Sequence, residues 1–275
     1  MRSTVIGAAF LTIILVSGNG AGQRGNPALQ EQALVEAAKS DALPGALPAL
    51  GNLARFYKNQ NRPADEAEVY SRIVKLWSKA AGSRSVGVAR YLAERGRAEA
   101  AAGMTAQSDA SFKESLALLK TLSLDKSLFG YSVLASYGNS LSVVGKTGEA
   151  EAAMSEALDG MGRLMGKVTP LVTGSVGPAF ANAYRAKYPN EPRPAEPIKI
   201  SGSNPAYSDE ARKARVSGDA TLIVEISDAG IPVNVWVWKS LGLGLDEKAI
   251  EAAREWRFKP GVSTIFTAEI AFQLR

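Results

Sequence analysis

Neither cysteine nor histidine occurs in the 275-residue chain. Without cysteine there is no disulfide, no thiolate nucleophile and no iron–sulfur ligand set. Without histidine the chain lacks the commonest zinc ligand, the usual general base and the side chain that titrates nearest neutrality. A glycine-rich phosphate loop and any metal-ligand spacing are missing too. The carboxylates are scattered as on any solvated helix. The sequence therefore reads as non-enzymatic, with no cofactor and no metal. A hydrolase built on serine, lysine or paired carboxylates is the catalytic class this leaves open. Charge of one sign is also scarce. The 32 basic and 27 acidic residues leave only +5, and from residue 198 onward they balance. The one basic cluster, Arg212, Lys213 and Arg215, sits beside Asp209 and Glu210 and reads as a solvated helix face. The clustered footprint of a nucleic-acid binder is not there.

What is there begins with a targeting segment. Arg2 precedes an apolar run from Val5 to Val16, and small residues follow from Ser17 to Gly22. That run is the length of a signal-peptide core and short of the ~20 residues of a membrane span. Residues 1–22 are expected to be a signal peptide cleaved near Gly20 to Gly22, or an uncleaved anchor. Either places the rest of the chain outside the cytoplasm, in the periplasm or cell envelope.

Residues 23–188 read as helical, with apolar residues recurring at three and four. An internal repeat underlies them. Small residues recur at Ala54, Gly96 and Gly138, and turn residues at Asn61, Gly103 and Gly145. A large residue of the second helix recurs at Tyr70, Phe112 and Met154, with an apolar partner at Val74, Leu116 and Leu158. Each series has a period of 42 residues. A small residue lets paired helices approach, and the turn residue permits a tight reversal. The pattern resembles the tetratricopeptide family of helix–turn–helix repeats, whose usual period is 34. The resemblance implies an α-solenoid with a concave protein-binding surface, although it could equally be a spacer. A further helix from about Pro178 to Lys187 is expected to cap the stack. The alternative is a generic helical bundle.

Residues 189–204 form a proline-rich linker (Pro189, Pro192, Pro194 and Pro197), expected to be extended and semi-rigid. The last part, residues 205–275, changes period. A short helix from Ser208 to Ala214 leads to strands expected at Ala220–Ile226, Val233–Lys239 and Thr264–Leu274. Asp228, Ala229 and Gly230 form a hairpin loop, and Asp246 opens a helix with the stripe Ala249, Ile250, Ala253 and Trp256. Trp236 and Trp238 share a face, either as core against that helix or as an exposed patch.

In order, Tyr207 and Ala211, Gly218, Gly230, Ser240 and Gly242, Leu245-Asp246 and Trp256 to Pro260 resemble the TonB C-terminal domain family. Ser208, Leu241 and Pro232 depart from its usual pattern, and the N-terminus lacks the transmembrane histidine of TonB-type anchors. The resemblance implies an α+β fold: a small three-stranded antiparallel sheet with two helices, following the helical solenoid. It implies partner binding by strand addition at the last strand, over Thr264, Ile265, Phe266, Thr267, Ala268, Glu269 and Ile270. The expected partners are other envelope proteins, among them outer-membrane receptors and an inner-membrane motor, with a homodimer possible. Nucleic acid is not expected, and membrane contact only through an uncleaved N-terminus. The expected function is that of a TonB-like envelope protein associated with energy-dependent transport across the outer membrane. The alternative is a periplasmic scaffold without transport coupling.

Overall fold

The computed structural model describes residues 27–39, 43–166, 168–173, 176–190, 195–213 and 216–273. The expected signal segment, residues 1–22, lies outside them. Among the described residues no helix is long and apolar enough to cross a membrane.

The N-terminal part is built of helix pairs. After α1 (Pro27–Ala37) come α2 (Leu43–Asn59) with α3 (Pro63–Ala81), α4 (Val86–Ala101) with α5 (Thr105–Thr121), and α6 (Leu128–Val143) with α7 (Thr147–Met165). The 42-residue period is visible in the backbone. Asn61, Gly103 and Gly145 join the two helices of each pair with φ of 54°, 74° and 79°. That region is open to glycine and tolerated by asparagine. The small residues lie where partner helices touch. A Cβ on Gly96 would stand 2.7 Å from the Phe112 ring, and one on Gly138 would stand 3.0 Å from Met154. Ser108, which occupies the position of Ala150 in the third unit, is accommodated in the buried contact by donating to the Gly96 carbonyl at 2.8 Å. Ser85 and Ser127 cap α4 and α6, accepting from the backbone N–H of Val88 and Gly130. The short α8 (Pro170–Thr173) and then α9 (Pro178–Lys187) follow, and α9 closes the stack with Phe180 and Tyr184 buried against α6 and α7.

The C-terminal part comprises β1 (Lys199–Ser201), α10 (Asp209–Lys213), β2 (Gly218–Ile226), β3 (Pro232–Lys239), α11 (Leu245–Arg254), β4 (Arg257–Phe258) and β5 (Thr264–Phe272). The main sheet is antiparallel in the order β3-β2-β5, so β2 is central. Inside the proline-rich segment, β1 pairs with β4 and belongs to this fold. Ser208 caps α10 by accepting from the Ala211 N–H at 3.1 Å. Asp246 does more than open α11. Its buried carboxylate accepts from the Leu241 and Gly242 N–H groups at 2.8 and 3.1 Å and from the Ser240 hydroxyl. Ser240, Gly242 and Asp246 thus act as a unit: one carboxylate satisfies the loop before the helix.

Both faces of the sheet are covered. On one, Leu222, Val224, Ile226, Phe266, Ala268, Ile270 and Phe272 pack with α10 and α11 through Ala211, Ala249, Ala253 and Trp256. On the other, Ile223, Ile265 and Trp238 join the apolar cluster of α6, α7 and α9, with Trp236 half-buried beside them. Trp238 is 1% exposed. Of the two readings of the tryptophan pair, neither fits fully, because Trp238 is core against the helical repeat and not against α11.

A Gly96→Val variant drives a side chain into the Phe112 ring and is expected to lose about 2 kcal/mol of stability. Gly162→Ala, in a helix with open space around it, is expected to gain up to ~1 kcal/mol. Urea denaturation measures both. A neutral Gly96→Val would contradict the close helix contact.

Candidate partner-binding edge

In an antiparallel ladder, the N–H and C=O of one residue point to the same side and neighbours alternate. Ser227 N–H donates to the Ile231 carbonyl at 2.9 Å, so odd-numbered residues of β2 bond toward β3 and even-numbered ones toward β5. On β5 the partners of the even residues are Thr264, Phe266, Ala268, Ile270 and Phe272. The backbone groups of Ile265, Thr267, Glu269 and Ala271 therefore point outward, away from the sheet. Ile265 is already engaged: its carbonyl accepts from the buried Thr169 hydroxyl at 2.7 Å, with α8 alongside. Beyond it, the outward groups of Thr267, Glu269 and Ala271 have no hydrogen-bond partner among the described residues.

The seven expected edge residues thus divide. Thr264 and Ile265 are buried beside α8, while Phe266, Ala268 and Ile270 spend their backbone groups on β2 and their side chains on the core. Thr267 is only 3% exposed, so its outward groups are enclosed; Glu269, and Ala271 just past the expected segment, are exposed and present theirs to solvent. The opposite edge of the sheet is less regular. Pro232 has no N–H to offer, and Trp238 sits at a register shift with its carbonyl accepting from Ser132 of α6 at 2.8 Å.

The first helices of the three pairs, α2, α4 and α6, carry the contacts with the C-terminal sheet. Val86 of α4 stands against Gly242, and Arg90 donates to the Ser240 carbonyl at 3.4 Å. Arg55 of α2 pairs with Asp219 at 2.9 Å. The central contact is Glu94 of α4, which binds Lys239 of β3 at 3.2 Å and Arg97 at 3.0 Å. Arg97 in turn holds the buried Glu66 at 2.6 Å. Burial works against the charge on Glu94, but Lys239, Arg97, Arg90 and Lys58 outweigh it and hold its carboxyl well below the usual range. A cavity of about 30 Å³ remains between α4, α6 and β3, lined by Arg90, Glu94, Ser132 and Lys239. That is room for a water and not for a ligand.

The docked face was legible only indirectly. Leu222, Ile223 and Val224 form an unbroken apolar run at the centre of β2, which is the mark of a strand buried on both sides. Ile265 and the two tryptophans lie on the same nominally polar face. Nothing in the local pattern shows that Glu94 and Lys239, far apart in sequence, meet.

Residues 203–274 match the family model described as Gram-negative bacterial TonB protein C-terminal, and this part of the chain is a domain of that family. No curated protein matches the chain.

Glu94→Gln is expected to cost about 3 kcal/mol at pH 7, since it leaves Lys239 and Arg97 facing a neutral amide in a mostly buried site. The folded-state pKa of Glu94 lies below the unfolded ~4.3, so its contribution is full above that value and fades as pH falls through the folded one. The difference between variant and parent should therefore shrink in acid. Denaturation midpoints from pH 7 to pH 3 read this, and a deficit independent of pH would contradict it.

Proposed function

We propose that this is a cell-envelope protein that captures an extended segment of a partner protein as a fourth strand on the outer edge of β5, in association with energy-dependent transport across the outer membrane. The observation that carries this reading is the exposed outward backbone groups of Glu269 and Ala271, unpaired among the described residues. Main-chain hydrogen bonds supply affinity in such an arrangement, and alternate side chains supply selectivity. The family match supports an interaction role for the C-terminal domain. The partners are other envelope proteins, with outer-membrane receptors and an inner-membrane motor as the transport-linked candidates. The apolar N-terminal segment from Val5 to Val16 delivers or tethers the chain in the periplasm. The paired helices, with their regular period, act as a tetratricopeptide-like platform.

A second reading is favoured by a specific contact. The sheet is clasped to the repeat through Glu94, Lys239 and Trp238, and is not carried at the end of a free arm. This suits a periplasmic interaction scaffold with no transport coupling. Capture at β5 is common to both readings.

Ala271→Pro removes one outward N–H at an exposed position while leaving the β2 ladder untouched, because the backbone of Ala271 faces away from β2. The variant is expected to keep the parent's circular dichroism spectrum and lose capture of envelope proteins in a cross-linking pull-down. Undiminished capture by a folded variant would sink the edge mechanism.

A further inference from the structure

Glu269 is the first exposed residue of β5 and begins its open end. Its side chain is exposed, whereas Thr267 two residues earlier is 3% exposed. It makes no ion pair or hydrogen bond among the described residues. The cations near it are committed elsewhere: Arg55 to Asp219 at 2.9 Å, Lys239 to Glu94 at 3.2 Å, and Arg90 to the Ser240 carbonyl at 3.4 Å. Asp219 lies diagonally across the β2–β5 pair on the same face, adding a second negative charge. Partial burial and Asp219 push the Glu269 carboxyl above its ordinary value. The position is therefore costly for a carboxylate in the free protein and is relieved by a cation delivered from outside.

A strand laid on this edge places one residue directly opposite Glu269, on its face, with Cβ atoms about 5 Å apart. We propose that Glu269 selects, among extended partner segments, those carrying a lysine or arginine at the position opposite it. The proposal rests on strand addition at β5. It assigns the partner's chemistry: an extended stretch with a basic residue facing Glu269 and a small residue beside Ala271. An acidic residue in that place would face the Glu269 carboxylate directly and be disfavoured.

Fluorescent nine-residue peptides of alternating threonine and valine, with lysine or glutamate at the centre, test this against the full chain by anisotropy. The lysine peptide is expected to bind about tenfold more tightly than the glutamate peptide, with the gap narrowing in high salt. Glu269→Lys, at an exposed site and so expected to fold, should reverse the order, and Glu269→Gln should flatten it. Equal binding of both peptides, unchanged in Glu269→Lys, would overturn the selectivity while leaving strand addition standing. If neither peptide binds parent or variant, strand addition at this edge fails and the selectivity falls with it.

Discussion

The sheet carries large apolar side chains on both of its faces, and the need to bury the second face shapes this molecule. The short α10 and α11 cover one face of the sheet. The other carries Ile223, Trp238 and Ile265, all at or below 4% exposure. Burying such side chains contributes about 2 kcal/mol each as an upper estimate, so the three together supply roughly 6 kcal/mol. The exposed Arg55–Asp219 pair contributes at most about 1 kcal/mol. Hydrophobic burial therefore holds the sheet on the repeat, and the polar contacts fix its position. The Ser132 hydroxyl on the Trp238 carbonyl and the Thr169 hydroxyl on the Ile265 carbonyl pin the two sides of the sheet to the helical part.

The same docking decides what is left for partners. It sets the chain's own sheet against α2, α4 and α6. It also engages the first outward carbonyl of β5, at Ile265. What remains open is the stretch from Glu269 onward. Glu94 closes the junction because it is shared: one oxygen faces Lys239 of the sheet and the other faces Arg97 of its own helix. Neither cation alone would compensate for burying that carboxylate. Together with Arg90 and Lys58 they do, which places the charge network at the seam between the two parts.

Much of this could be read from the residues. The positions of Asn61, Gly103 and Gly145 mark turns because only a few residue types accept positive φ, and that demand is local. The strands and α11 follow from alternation and an apolar stripe, and Trp256 and Phe258 are buried as aromatics beside a helix end must be. The role of Asp246 needed the loop geometry, because three hydrogen bonds to one carboxylate are not encoded in spacing alone. The docking was the least legible feature. It depends on residues brought together from distant parts of the chain, and only the unbroken apolar run Leu222-Ile223-Val224 hints at a second buried face. The edge residues were half legible for a similar reason. Alternation shows which side chains share a face, but the outward backbone row follows from the register of β5 against β2, a pairing between segments distant in sequence.

The central claim is that sheet and repeat fold as one body. Urea unfolding followed simultaneously by far-ultraviolet circular dichroism, dominated by the helices, and by tryptophan fluorescence tests it directly. Of the four tryptophans, Trp236, Trp238 and Trp256 lie in the C-terminal part. The account predicts superimposable transitions with one midpoint. Two separated transitions, with fluorescence changing while the helices persist, would contradict it and show the C-terminal part to be an independent module.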